Sequence, residues 1–229
     1  MTAEDLHAWN GHIRFTPRYG SRENTSDVWA LELAPKSALG AGVNAIRGTE
    51  RERFTFSGGE VIIYDCADMP GGRWAAWVGP WHMAHGMYYE PEWEANDVIK
   101  TLSRVQWTDT PEGLTAAPGQ RFTLERAKYF LPVAGVGTLQ VEPKNLSFVQ
   151  VPRWRGLSAP AGEVWRLNNT EGPQYESVML VTETAVVTID PWDVPRRGQQ
   201  NAPSALAKTN ALATAADFLT RVKSVTWGA

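Results

Sequence analysis

The 229-residue chain has little of what most functional classes require. It contains one cysteine, Cys66, so no intrachain disulfide can form and stability has to come from packing. No stretch approaches the roughly 18 consecutive apolar residues of a membrane-spanning helix. The N-terminal MTAEDLHAWNG has neither a basic region nor an apolar run, so no signal peptide is expected. The expected location is therefore the cytoplasm, or a particle assembled there, and the sequons at Asn24 and Asn168 are expected to carry no glycan. There is no basic excess: 22 Lys and Arg face 25 Asp and Glu, a net charge of −3. Non-specific nucleic-acid binding needs the opposite balance. The basic clusters that exist (Arg153 and Arg155 around Trp154, and Arg196-Arg197) read as solvated loops. Also missing are G-x-S-x-G, the P-loop, a G-x-G-x-x-G after a strand, and C-x-x-C. Their absence removes the common enzymes and points away from catalysis.

What is present is internal similarity. DVIKTLSRVQW, Asp97 to Trp107, is answered by DFLTRVKSVTW, Asp217 to Trp227. Four further anchors recur in the same order. Arg14-Phe15-Thr16 returns as Arg121-Phe122-Thr123. Leu31-x-Leu33-x-Pro35-Lys36 returns as Leu139-x-Val141-x-Pro143-Lys144. Val43-x-x-Ile46-x-x-Thr49-Glu50 is matched by Val164-x-x-Leu167-x-x-Thr170-Glu171. Val61, Asp65, Asp68 and Pro70 are matched by Val186, Asp190, Asp193 and Pro195. Such repetition predicts a tandem duplication. Repeat 1 spans 1–107, with a Trp-rich insert at 71–96. A short linker covers 108–119, and repeat 2 spans 120–229.

Each repeat reads as strands first and a helix last. Strands are expected at 12–19, 28–34, 43–47, 51–57 and 60–65. In repeat 2 they are expected at 120–126, 128–133, 136–142, 146–151, 163–168, 176–182 and 185–190. Ser57-Gly58-Gly59 has the composition of a hairpin turn. VMLV and AVVTI, nearly continuous apolar runs, suggest strands covered on both faces. Leu212, Ala215, Ala216, Leu219 and Val222 make one apolar stripe on a closing helix at 204–224. A shorter helix is expected at about 92–104. The fold class is thus α+β and strand-rich, each repeat an antiparallel sheet or small barrel closed by a C-terminal helix. The order is similar to that of pleckstrin-homology-like domains and of the sandwich-plus-helix domains of phage tail tubes and hubs. The likeness is architectural, and no residue carries a role over from it.

The candidate chemical groups read mostly as structure. Asp65 with Asp68, and Asp190 with Asp193, follow strands and precede proline, as turn-capping aspartates do. His82-x-x-His85 lacks the intervening glutamate of the zincin motif. Cys66 has acidic neighbours, which disfavour a thiolate. No metal, cofactor or catalytic residue is expected.

The two repeats differ most between the Asp-x-x-Asp-x-Pro anchor and the helix. Repeat 1 carries Trp74, Trp77, Trp81, His82, His85, Tyr88, Tyr89 and Trp93 there, four of the chain's 11 tryptophans, whereas the matching stretch of repeat 2 has no aromatic residue. Tryptophan and tyrosine dominate interface hot spots. These eight residues are therefore the expected binding segment of a non-catalytic structural or interaction protein. It would be a component of a larger assembly, such as a phage virion or tail part or a scaffold complex, with protein partners or self-association. The alternative is a small-molecule-binding protein or enzyme with a site under this Trp/His segment or between the repeats.

Overall fold

The structure, a computed structural model, describes residues 10–17, 29–88, 95–103, 105–119, 122–167, 176–191 and 205–225. The chain divides into two compact units, a first one of Asn10–Ala127 and a second one that begins at Lys128. Both are strand-rich and antiparallel.

The first unit contains β1 (Asn10–Pro17), β2 (Trp29–Pro35), a 3-10 turn (Lys36–Ala38) and α1 (Leu39–Ala45). It continues with β3 (Gly48–Phe56), β4 (Gly59–Cys66), β5 (Arg73–Val78), β6 (His82–Tyr88) and α2 (Ala95–Leu102). A separate two-stranded hairpin follows, β7 (Val105–Thr110) and β8 (Gly113–Pro118). The main ladder runs β1-β2-β6-β5-β4-β3. Strand β9 (Phe122–Val133) begins in the first unit and ends in the second. The second unit adds β10 (Gly137–Pro143), a 3-10 turn (Lys144–Leu146), β11 (Leu157–Ala159), β12 (Gly162–Leu167), β13 (Ser177–Val181), β14 (Ala185–Asp190) and α3 (Ala205–Thr220). Its ladder runs β9-β10-β14-β13-β12-β11. Numbered within its own unit, each ladder has the order 1-2-6-5-4-3.

The small barrel is corrected to open sheets. Among the described residues β3 and β11 each pair on one side only, so the ladder ends there instead of closing. An open edge invites further pairing, and β3 is guarded against it. Glu50, Arg51, Glu52 and Arg53 are all exposed, and a bulge interrupts the register between Glu50 and Glu52. Arg53 bridges Glu50 at 2.7 Å and Glu60 at 2.8 Å. The turn after β3 has Ser57 at φ 49 and Gly58 at φ 76, the positive pair that matches strand twist in a two-residue hairpin.

Three expected elements take another form. The 43–47 strand is the end of α1 and its exit turn, because Leu39, Val43 and Ile46 recur with helical spacing and pack together on the core. The 146–151 strand is the end of a 3-10 turn followed by an irregular segment. Burial alternates over Ser147 to Gln150, but Leu146 ends the 3-10 turn and Pro152, just after the stretch, lacks the N–H a ladder needs. The 108–119 stretch, expected as a linker, is mostly the β7–β8 hairpin. Its two-residue turn is Pro111-Glu112.

The second unit's core bears out the helix stripe. Leu212, Ala215 and Leu219 are buried with Val164, Val178, Leu180, Val187 and Ile189. The opposite face of the same strands buries Trp165, Met179, Val181 and Val186. VMLV and AVVTI are therefore almost wholly apolar because both their faces are covered. No helix among the described residues is long and apolar enough to cross a membrane.

Gly162, in the tight β11–β12 hairpin, tests this packing. A Cβ there would lie 2.0 Å from the Val181 carbonyl oxygen, whereas at Gly113 nothing stands within 4 Å. Gly162→Ala should cost about 1–3 kcal/mol, read as a lower urea midpoint. Gly113→Ala should be neutral or slightly stabilising by the same measurement.

Candidate functional site

The expected binding segment is not a surface insert. It forms the β5–β6 hairpin inside the first unit's ladder, between β2 and β4. A strand sends successive side chains to opposite faces. His82 and His85 are three apart on β6, so they point to opposite sides of the sheet and cannot share a ligand. Trp74 and Trp77 are divided in the same way on β5. The register pairs Trp74 with Met87 and Ala76 with His85, which places these four on one face. Trp77 and Ala84 pair on the other face, where His82 and Tyr88 also lie. Trp74, Trp77, His82 and Tyr88 are buried, and His85 nearly so. Trp81, at the turn, is exposed. Tyr89 and Trp93 lie outside the described residues.

On the first face, the Trp74 indole N–H donates to His85 Nδ1 at 3.2 Å, and the two rings sit 4.9 Å apart. An accepting Nδ1 means a neutral ring with its proton on Nε2. Burial agrees, pushing the His85 pKa below its ordinary value, while Glu32, 3.8 Å from Nε2, pulls weakly the other way.

On the second face, the turn from β5 to β6 is tied to strand β7. Asp109 has a side chain only 4% exposed, and its Oδ1 lies 2.7 Å from His82 Nδ1. Its Oδ2 accepts the backbone N–H of Trp81 at 2.9 Å and of His82 at 3.3 Å. Trp107, also on β7, stacks on Trp77 with centroids 5.2 Å apart and an interplanar angle of 13°. The Trp77 indole N–H donates to the Phe56 carbonyl at 3.0 Å. Gly79 is required here, since a Cβ would stand 2.3 Å from Asp109 Oδ2. Asp109 was not among the expected site residues. Its signal was Thr110-Pro111-Glu112-Gly113, a turn sequence that makes its flanks strands.

The remaining candidates have structural partners. Arg47 Nε donates to Asp68 Oδ2 at 2.8 Å, and Arg51 lies 3.4 Å from Asp65. Cys66 is buried, and burial first of all pushes its thiol pKa up. Among the described residues no group of three or more His, Cys, Asp or Glu is placed to hold a metal ion.

A different surface stands out in the second unit. The segment between the Lys144–Leu146 turn and β11 is pinned at three points. Val149 packs against the cluster of Trp165, Met179, Val181 and Val186. The Trp165 indole N–H donates to the Trp154 carbonyl at 3.0 Å. The Gly156 N–H donates to Glu163 at 2.9 Å. Gly156 is needed because a Cβ would meet Trp165 at 2.7 Å. With its backbone held, the segment turns Phe148 (66% exposed), Val151 (40%), Trp154 (68%) and Leu157 (62%) outward. Beside them an open groove of about 620 Å³ is lined by Lys144, Arg153, Trp154, Arg155, Glu163 and Trp165, among others.

Comparison with known proteins found no matching family model, no matching curated protein and no matching solved structure.

Two outcomes follow from the first unit. Asp109→Ala should destabilise by roughly 2–3 kcal/mol, because it leaves buried donors unpaired, and Asp109→Asn should cost less. Urea unfolding reads both. His85 has a folded pKa below its ordinary 6.5, so the unfolded chain takes up the proton first as pH falls. Its contribution to stability is full above that value and is lost as pH drops through it toward the folded pKa. His85→Gln should flatten the stability difference between pH 7.5 and 5.5.

Proposed function

We propose that the protein is a non-catalytic component of a protein assembly, built from two related units, and that its contact surface is the 147–157 segment. The observation that carries this is the outward display of Phe148, Val151, Trp154 and Leu157 on a backbone held from beneath. Apolar side chains exposed on a loosely tethered loop would say little. On a pinned backbone they are held outward in fixed positions, and exposed apolar surface of this kind marks interaction sites. Tryptophan and arginine together are the composition of binding hot spots. The expected contact residues Trp74, Trp77 and Tyr88 serve instead as core. Among the described residues of the first unit, Trp81 is the exposed large aromatic.

The relatedness of the two units is supported by their common strand order and by matching junctions. In each, a strand ending in Pro-Lys leads into a 3-10 turn. The Lys36 N–H donates to the Trp81 carbonyl, and the Lys144 N–H to that of Thr184. In each, the chain after the helix returns to the turn before the sixth strand: Asp109 holds the 79–82 turn, and Thr182 Oγ1 donates to the Val225 carbonyl. By this correspondence β6 matches β14. The sequence anchors instead paired Val61 of β4 with Val186 of β14. A second reading, a small-molecule-binding protein, draws on the groove, whose volume falls in the range of ligand pockets.

The test is a triple variant, Phe148→Ser, Trp154→Ser and Leu157→Ser. Purified from the cells that produce it, the wild-type protein should elute in a complex heavier than one chain. The variant should elute as a single chain with an unchanged thermal midpoint. A wild-type monomer under these conditions would sink the proposal, as would a complex indifferent to the substitutions.

A further inference from the structure

We infer that the occupant of the groove in the second unit is an acidic, aromatic segment of a second copy of this chain, the stretch 89–94. The inference rests on the preceding reading of 147–157 as a contact surface and adds to it the identity of the partner.

The argument is one of charge and side-chain complementarity. The groove presents Lys144, Arg153 and Arg155, with Trp154 between the two arginines. Arg153 and Arg155 are exposed, and neither enters an ion pair with another described residue. Glu163, the carboxylate lining the same groove, already accepts the Gly156 N–H. The groove therefore sets three cations, Lys144, Arg153 and Arg155, against one carboxylate, beside an upturned indole, in a chain whose net charge is −3. Such a site selects an anion that also carries apolar surface. Arginine favours planar carboxylates through paired N–H groups, and the exposed Trp154, Phe148 and Leu157 favour aromatic or aliphatic anchors.

The chain contains one stretch with that composition. Residues 89–94 read Tyr-Glu-Pro-Glu-Trp-Glu, with Glu90, Glu92 and Glu94 alternating with Tyr89, Pro91 and Trp93. Laid extended in a groove, alternate residues fall on opposite sides. Three carboxylates would then follow the cations while the rings met Trp154. The counterpart in the second unit, following β14, carries Arg196 and Arg197 and no such acidic run. One copy thus has the groove in its second unit and the complementary stretch in its first. Contacts of this head-to-tail kind build rings or filaments from identical chains.

The experiment uses two full-length variants. One carries Arg153→Glu and Arg155→Glu. The other carries Glu90→Lys, Glu92→Lys and Glu94→Lys. Sedimentation velocity should show concentration-dependent association of the wild-type protein, at least tenfold weaker in either variant alone. An equimolar mixture of the two should regain association, because each supplies the intact partner the other lacks and the reversed charges also match. Raising the salt concentration should weaken the wild-type association. A synthetic peptide of residues 88–95 should compete with it, whereas the same peptide with lysine for each glutamate should not. Circular dichroism and thermal midpoints verify that both variants fold. A wild-type chain that stays monomeric, or a mixture that fails to associate, overturns the second copy as occupant. If the Phe148, Trp154 and Leu157 substitutions still release the protein from a native complex in that case, the contact surface stands and its partner is another protein. If they do not, both readings fall together.

Discussion

The pleat of the β-strand is the constraint on which the rest of this structure depends. Because successive residues face opposite ways, a strand cannot gather a sequence cluster into one site. The β5–β6 hairpin shows the consequence. Its tryptophans and histidines are close in sequence, yet Trp74 with His85 serves one face and Trp77 with His82 serves the other. Each half of the cluster then does local structural work. Trp74 holds His85 neutral, and Trp77 gives β7 a ring to stack on.

The second constraint is that a sheet with two apolar faces must have both covered. α3 covers one face of the second unit, and the pinned 147–156 segment lies against the other. In the first unit α1 packs on the face of Trp74, and β7 is fixed at the opposite one by Asp109. The carboxylate at that junction is buried and accepts bonds from two backbone N–H groups, while the His82 ring meets it on the other oxygen. Buried ionisable groups are retained where their donors are in place. The 147–157 segment turns Phe148, Val151, Trp154 and Leu157 outward, while Val149, the Trp154 carbonyl and the Gly156 N–H are held inward.

Much of the architecture was legible in the sequence. RERFTF alternates and is β3; Leu212, Ala215 and Leu219 keep helical spacing and are the buried stripe of α3. Ser57-Gly58 forms the turn its composition suggests. The failures have identifiable causes. Val43 and Ile46 fall in an expected strand, but Leu39 completes a helical period with them that packs on the core. The 71–96 stretch is expected as an insert because repeat 2 has no aromatic counterpart, yet RWAAWV and most of HMAHGMY are buried strands inside the ladder. Arg153-Trp154-Arg155 was set aside as a solvated loop. Nothing local reveals that Trp165 and Glu163, on β12, hold its backbone.

The sequence by itself determined the elements whose stability is local: the alternating strand β3, the Ser57-Gly58 turn, the C-terminal helix α3, and the exclusion of an intrachain disulfide. Each follows from spacing, turn chemistry or composition within a short window. Only the tertiary structure decided which tryptophans are core and which are surface. Burial of a large side chain depends on what lies across the sheet from it. Trp77 is buried because Trp107, thirty positions later, comes back over it. Trp154 is exposed because its own carbonyl, bound by Trp165, fixes the backbone with the ring turned outward.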